Sequence, residues 1–193
     1  MWAWLRHWIG RLPTLPYVDN DGWIHGDGVE LYPSKRGTPL TTPRGEPLAI
    51  IWHYTATAPG TAKSLAERIT GLPVGDERSV SWHLLIGVDG VIRQSLPLTW
   101  GGWHCSAGRI DGYRVNKCTI GIELEGYGDR SPTAQVDAAR HMMRLVHLRY
   151  GIARSRLALG HRDYDPDRRD DPGDLWQPIL TQLAESVAPL RSV

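Results

Sequence analysis

Phenylalanine is absent from this chain of 193 residues, and cysteine and methionine are scarce, with two and three copies. Two cysteines cannot supply the disulfide framework that replaces a core in small secreted domains, so stability has to come from apolar packing. No apolar run approaches the roughly 20 residues that a membrane span requires, and no stable span is expected. Charge of one sign is also lacking. The formal net charge of +1 gives no basic footprint, so a nucleic-acid partner is not expected. HExxH, the helical signature of many zinc peptidases, does not occur, which weighs against a peptidase of that type.

What the chain does contain is ordinary for a soluble globular protein, with 41% apolar and 22% charged residues. The length suits one core with an appendage, and a monomer is expected. Nine Trp and seven Tyr carry the aromatic volume, either as core or as amphipathic surfaces for sugar stacking. Cys105 and Cys118 could pair or remain thiols, and without an oxidising address free thiols are the expectation.

The first 45 residues read as an N-terminal arm. Trp2, Leu5, Ile9 and Leu12 follow helical spacing, and Pro13 and Pro16 close that helix. Arg6, His7 and Arg11 break its apolar character, and no small-residue cleavage site follows. A secretory leader is therefore not expected, and synthesis in the cytoplasm is. From Tyr17 to Glu46 glycine, proline, aspartate and threonine mark an extended segment that wraps the core.

From residue 46 onward strands alternate with helices, which predicts an α/β fold with a single mixed sheet covered by helices. Strands are expected at Leu48 to His53, at Thr119 to Glu125 and at Leu157 to Gly160. A hairpin turning at Asp89-Gly90 is expected within Ser79 to Gln94. Helices are expected at Thr61 to Thr70 and Thr133 to Tyr150, with Thr61 and Thr133 as N-caps, and from about Leu175 to Ala188. Trp100 to Asn116 is a long aromatic loop of the kind that is often functional.

The stretch GHRDYDPDRRDDPGDLW, Gly160 to Trp176, places His161 at the end of an apolar run and Asp171 on a polar loop. His53 ends a second apolar run. Two imidazoles and a carboxylate suit zinc, which takes three protein ligands in catalytic sites and keeps a position open for water. Asp170 and Asp174 compete with Asp171 as the carboxylate, whereas Asp163, Asp165 and Asp167 read as a solvated loop face.

IIWHYTAT, SVSWHLLI, WGGWHCSAG, TIGIELEG and GHRDYDPDRRDDPGDLW, in this order, resemble the zinc-dependent N-acetylmuramoyl-L-alanine amidase type 2 family. Peptidoglycan recognition proteins and many phage endolysins share its fold. The resemblance covers roughly residues 46 to 185, which makes 46–193 the expected zinc amidase domain. It implies Zn2+ on His53, His161 and Asp171, and Glu123 as the catalytic acid–base, with Glu125 as its period-2 rival on the same strand face. It further implies Arg169 where many relatives carry a lysine that steadies the tetrahedral intermediate. Trp103 and His104 fall in the loop lining the substrate groove, and Trp82 replaces a tyrosine of some relatives. His83, facing the other way, is expected to be structural. The implied partner is bacterial peptidoglycan, glycan and stem peptide. The implied setting is a phage or prophage endolysin that reaches the wall at lysis. A cytosolic amidase recycling wall fragments and a non-catalytic recognition module are the alternatives.

Overall fold

A computed structural model describes residues 16–71, 80–167 and 170–188. The segment Met1 to Leu12, where a helix is expected, and Arg169 lie outside the described residues. The central sheet has six strands, here labelled in chain order: β1 Val29–Leu31, β2 Ala49–Tyr54, β3 Leu84–Ile86, β4 Ile92–Gln94, β5 Thr119–Leu124 and β6 Leu159–Gly160. Their spatial order is β6-β2-β5-β3-β4-β1. The sheet is mixed, because β3 and β4 form an antiparallel hairpin while every other neighbouring pair runs parallel.

Helix α1 spans Ala62–Gly71, α2 Thr133–Tyr150 and α3 Trp176–Ser186. Each lies within about two residues of the span expected from apolar spacing, apart from small shifts at the ends. The N-cap of α2 is Pro132, not Thr133, and it makes no side-chain cap bond. Gly151 ends that helix in the left-handed conformation, φ 68°, where glycine carries no Cβ penalty.

Alternation along the strands sorts their side chains onto two faces. Ile50 and Trp52 of β2 and Ile120, Ile122 and Leu124 of β5 join Met142, Met143 and Val146 of α2 and Trp176, Leu180 and Leu183 of α3 in the main core. The two largest side chains there are tryptophans that keep their N–H groups satisfied. Trp52 donates to the Leu157 carbonyl at 2.7 Å and Trp176 to the Arg130 carbonyl at 2.8 Å. On the opposite face, α1 packs Ala62 and Ile69 against Trp82 and Leu85. Ala49 and Ile51 there meet Cys105, Ile110, Val115 and Cys118. Both cysteines are free and buried. Burial pushes the Cys118 thiol up to about 11.

Residues of the arm belong to this architecture. Val29–Leu31 forms the parallel edge strand beside β4, and Thr38–Pro39 pairs with Trp100–Gly101.

Glu125, just past the end of β5, is 4% exposed and works on the backbone. It accepts hydrogen bonds from the N–H groups of Thr61, Ala62 at 2.7 Å and Val88 at 2.8 Å. A carboxylate thus fills the capping role expected of Thr61, at the positive end of the α1 dipole. Glu125→Ala orphans three donors and should cost about 2–4 kcal/mol. Urea unfolding checks this; a loss below about 1 kcal/mol would contradict it.

Candidate metal centre

Parallel pairing of β2 and β5 sets Glu123 directly beside His53. Because that register also sends Trp52 and Ile122 into the main core, the two polar side chains emerge together on the other face. His161 arrives from the end of β6, the strand on the far side of β2. Gly160 is needed at that approach, since a Cβ there would stand 2.6 Å from Pro172 Cδ and 2.8 Å from Gln177 Oε1. The turn holding His161 is pinned by Asp163, which accepts from Gly160 N at 2.7 Å, and by Arg162 N, which donates to the Asp171 carbonyl at 3.1 Å. Asp163 is thus a structural side chain, a role that the expected solvated face did not include.

The polar atoms converge. His53 Nδ1 lies 2.8 Å from Asp171 Oδ2 and 3.1 Å from His161 Nδ1, and His161 Nδ1 lies 3.3 Å from Asp171 Oδ2. All three residues are buried, 2%, 6% and 6% exposed for His53, His161 and Asp171. They form the one His/Cys/Asp/Glu cluster suited to a metal ion among the described residues. A tetrahedral zinc ion with bonds of about 2.0–2.1 Å would put its ligand atoms about 3.3 Å apart. The observed edges are close to that, and the donor set of two imidazoles and a carboxylate is one that zinc takes, so the residues fit the ion.

Electrostatics of the metal-free cluster agree with tight coupling. Burial opposes the charged form of His161, but hydrogen bonds to Asp171 and Cys105 outweigh it and raise its pKa to about 9. Burial also opposes ionisation of Asp171, yet its hydrogen bonds to His161 and His53 hold it well below the usual carboxylate range.

The rival carboxylates are engaged elsewhere. Asp170 accepts from the Tyr54 hydroxyl at 2.5 Å and Asp174 from Arg162 at 2.7 Å. Glu123 is half-buried and lines a cavity of about 460 Å³ together with His53, His161 and Asp171, while Glu125 lies at the α1 terminus. Leu65, Ile69, Val80 and Trp82 form the apolar wall of this cavity, and Arg68 adds a cation.

Trp82 thus borders the space where a ligand would sit. Trp103 does not line it; its backbone pairs with Ser81, N–H to Oγ at 2.8 Å and C=O from Ser81 N at 3.1 Å. His104 touches the cavity but is 9% exposed and turned toward His53, Nδ1 to Nε2 at 3.1 Å. Burial, then the neighbouring histidines, holds its pKa well below the ordinary value, so it is a neutral ring.

His83 is fully buried, accepts from Gly121 N at 2.9 Å and contacts the Trp100 carbonyl through Nε2 at 2.6 Å. Burial lowers its pKa from 6.5 to about 4. Between those values the unfolded chain binds a proton that the folded chain refuses, so stability falls as pH drops from 6.5 toward 4. At about 1.4 kcal/mol per pH unit the loss reaches roughly 3 kcal/mol. His161, raised instead, makes a constant contribution throughout that window. His104, also lowered by burial, adds a loss of the same sign, so urea midpoints of the metal-free protein should drop between pH 6.5 and 4.5, and a flat profile would refute both assignments.

The fold and this cluster define an α/β protein with a candidate two-histidine, one-carboxylate metal centre. Residues 43–174 match the family model described as N-acetylmuramoyl-L-alanine amidase, and the chain belongs to that family. Among curated proteins it is 39% identical over 97 residues to the 1,6-anhydro-N-acetylmuramyl-L-alanine amidase AmpD of Escherichia coli strain K12, covering 49% of this chain and 52% of that one. The chain spans about half the length of the AmpD relatives it matches. A crystal structure of an AmpD derivative superposes with a TM-score of 0.63 at 25% identity, over 86% of this chain and 98% of that one. The E. coli amidase AmiD, solved with anhydro-N-acetylmuramic acid-L-Ala-D-gamma-Glu-L-Lys, gives a TM-score of 0.54 at 28% identity, over 86% and 65%.

Proposed function

We infer that this chain hydrolyses the amide bond between the lactyl group of N-acetylmuramic acid and L-alanine of the peptidoglycan stem peptide, with zinc held by His53, His161 and Asp171. The observation that carries this reading is the convergence of those three side chains beside Glu123, at the head of one cavity. Bound there, zinc would supply Lewis acidity, polarising a carbonyl and lowering the pKa of water from 15.7 towards about 7.

The chain's own residues do the rest. Glu123, the register neighbour of His53, takes the proton from the attacking water and returns it to the leaving amine. Asp171 and the two imidazoles orient one another and are closed off from bulk water. Arg169, two residues before Asp171, balances the charge that develops on the carbonyl oxygen, with a guanidinium in place of an ammonium. Trp82, Leu65 and Ile69 offer apolar surface to sugar or stem peptide, and Trp82 adds a broad ring for packing.

Two settings are consistent with this chemistry. The likeness to AmpD favours soluble 1,6-anhydro muropeptides as substrate, and an endolysin would instead cut intact wall. The test is a two-substrate assay. Purified protein with zinc should release peptides with a free L-alanine amine from muropeptides or from sacculi, and a chelator should stop it. Release from sacculi supports the endolysin setting, and release from muropeptides alone supports recycling. Binding of either substrate without any release would leave only the recognition module.

A further inference from the structure

A second cleft, of about 530 Å³, lies between the arm and the core and shares no lining residue with the cavity beside Glu123. Trp23 of the arm and Trp100 of the core line it together with Asn20, Asp21 and Arg44. Both tryptophans are half-buried, and the three polar residues are exposed. In the main core, Trp52 and Trp176 have their N–H groups taken by carbonyls. The indole N–H groups of Trp23 and Trp100 meet no acceptor among the described residues. Asp21 and Arg44 likewise form no ion pair among the described residues, although both border the same space.

The walls are fixed before anything enters. Asp19 closes the turn that carries Asn20 and Asp21, its Oδ1 accepting from Trp23 N at 2.8 Å and its N–H donating to the Trp23 carbonyl at 2.9 Å. Gly22 ties that turn to the core, its carbonyl accepting from Leu98 N and from Gln94 Nε2, both at 2.9 Å. Its φ of 94° suits glycine, and a Cβ there would stand 2.8 Å from Leu98 N. Thr99 Oγ1 donates to the Asp21 carbonyl at 2.8 Å. Arg44 rides on a second turn, closed by Gly45 N donating to the Thr42 carbonyl at 3.0 Å. Trp100 is seated beside Gly37, where a Cβ would come within 3.1 Å of its Cε3.

Aromatic surface beside free donors and acceptors matches a sugar, since a pyranose has apolar C–H faces and a polar rim of hydroxyls. One carboxylate and one guanidinium cancel, so a strongly charged ligand would meet a like charge along with the opposite one. We propose that this cleft is a second saccharide site, which binds a neutral pyranose ring of a glycan strand. In taking that strand to be peptidoglycan, the proposal rests on the amidase reading above.

The placement suits a polymer. Trp100 in the cleft and His104 at the cavity are four residues apart in the chain, so their Cα atoms stand at most about 14 Å from each other. A strand seated in the cleft therefore holds its stem peptides near the metal centre at a raised effective concentration. A soluble muropeptide with a single sugar occupies the cavity alone and gains nothing from the cleft.

Glycan strands stripped of stem peptide, and N-acetylglucosamine tetramers, are the probes, titrated into the full chain. The indole N–H signals of Trp23 and Trp100 should shift in NMR with or without zinc, and Trp23→Ala should weaken binding about tenfold or more. The double variant Asp21→Ala/Arg44→Ala should weaken it about threefold or more. On intact sacculi Trp23→Ala should raise KM at unchanged kcat, and on a one-sugar muropeptide both should match the wild type. Indole signals of Trp23 and Trp100 that stay in place overturn the proposal, and so does a folded Trp23→Ala with wild-type affinity for the strands. If Trp23→Ala does not fold, the indole shifts and the double variant decide. A wild type that binds strands at the cleft but cuts no substrate would refute the amidase reading and leave the saccharide site standing.

Discussion

Glu123→Gln is expected to abolish amide hydrolysis while leaving the metal site intact. The substitution keeps the shape and removes the ability to take a proton, so the loss in kcat should fall in the range of about 10²–10⁴ that positioned acid–base groups supply. KM should move little, because the wall of the cavity is formed by Leu65, Ile69, Val80 and Trp82. Zinc content, measured alongside the rate, should stay at the wild-type value. The matching change at Glu125 should behave in the opposite way. That carboxylate caps α1 and binds Val88 N, so its loss lowers stability and, below the unfolding temperature, spares turnover. An active Glu123→Gln enzyme would move the proton transfer to another group.

Asp171→Ala should remove both metal and activity. The carboxylate is the one anionic member of the cluster and contacts both imidazoles, at 2.8 and 3.3 Å. A ligand that binds only the folded state stabilises it by about 4 kcal/mol when its free concentration is 1,000 times Kd. Zinc should raise the unfolding free energy of the wild type on that scale and leave Asp171→Ala unmoved. Asp170→Asn, in contrast, should retain the zinc-dependent rise, since Asp170 serves Tyr54. Equal zinc stabilisation of wild type and Asp171→Ala would remove Asp171 from the ligand set.

Much of the site was legible in the residues because strand register converts sequence order into geometry. His53 ends an apolar run and Glu123 alternates with Ile120, Ile122 and Leu124, and pairing of β2 with β5 was enough to set them side by side. The helices could be read for a similar reason. Ala139, Met143 and Val146 mark the buried face of α2.

Side chains whose partners lie far away in the chain could not be read this way. Glu125 is as acidic as Glu123 and only two positions away, yet its oxygen is taken by backbone 63 and 64 residues upstream. His104 sits in a loop where an exposed, ligand-facing role was the natural expectation. It borders the cavity, but it is buried against Gly121 and directed at His53, 51 residues away. The signal that could have pointed to this is the glycine inside TIGIELE, since glycine within a strand often marks a close approach. Trp103 was expected at the groove, yet it does not line the cavity, although Ser81, to which its backbone bonds, does.

The most direct test of the account is anomalous diffraction at the zinc edge from crystals of the full chain grown with zinc. One peak is expected, bonded at about 2.0–2.2 Å to His53 Nδ1, His161 Nδ1 and a carboxylate oxygen of Asp171, with the Glu123 carboxylate facing its open side. A map with no peak among those three side chains, or with zinc bound through His53 Nε2, would contradict it.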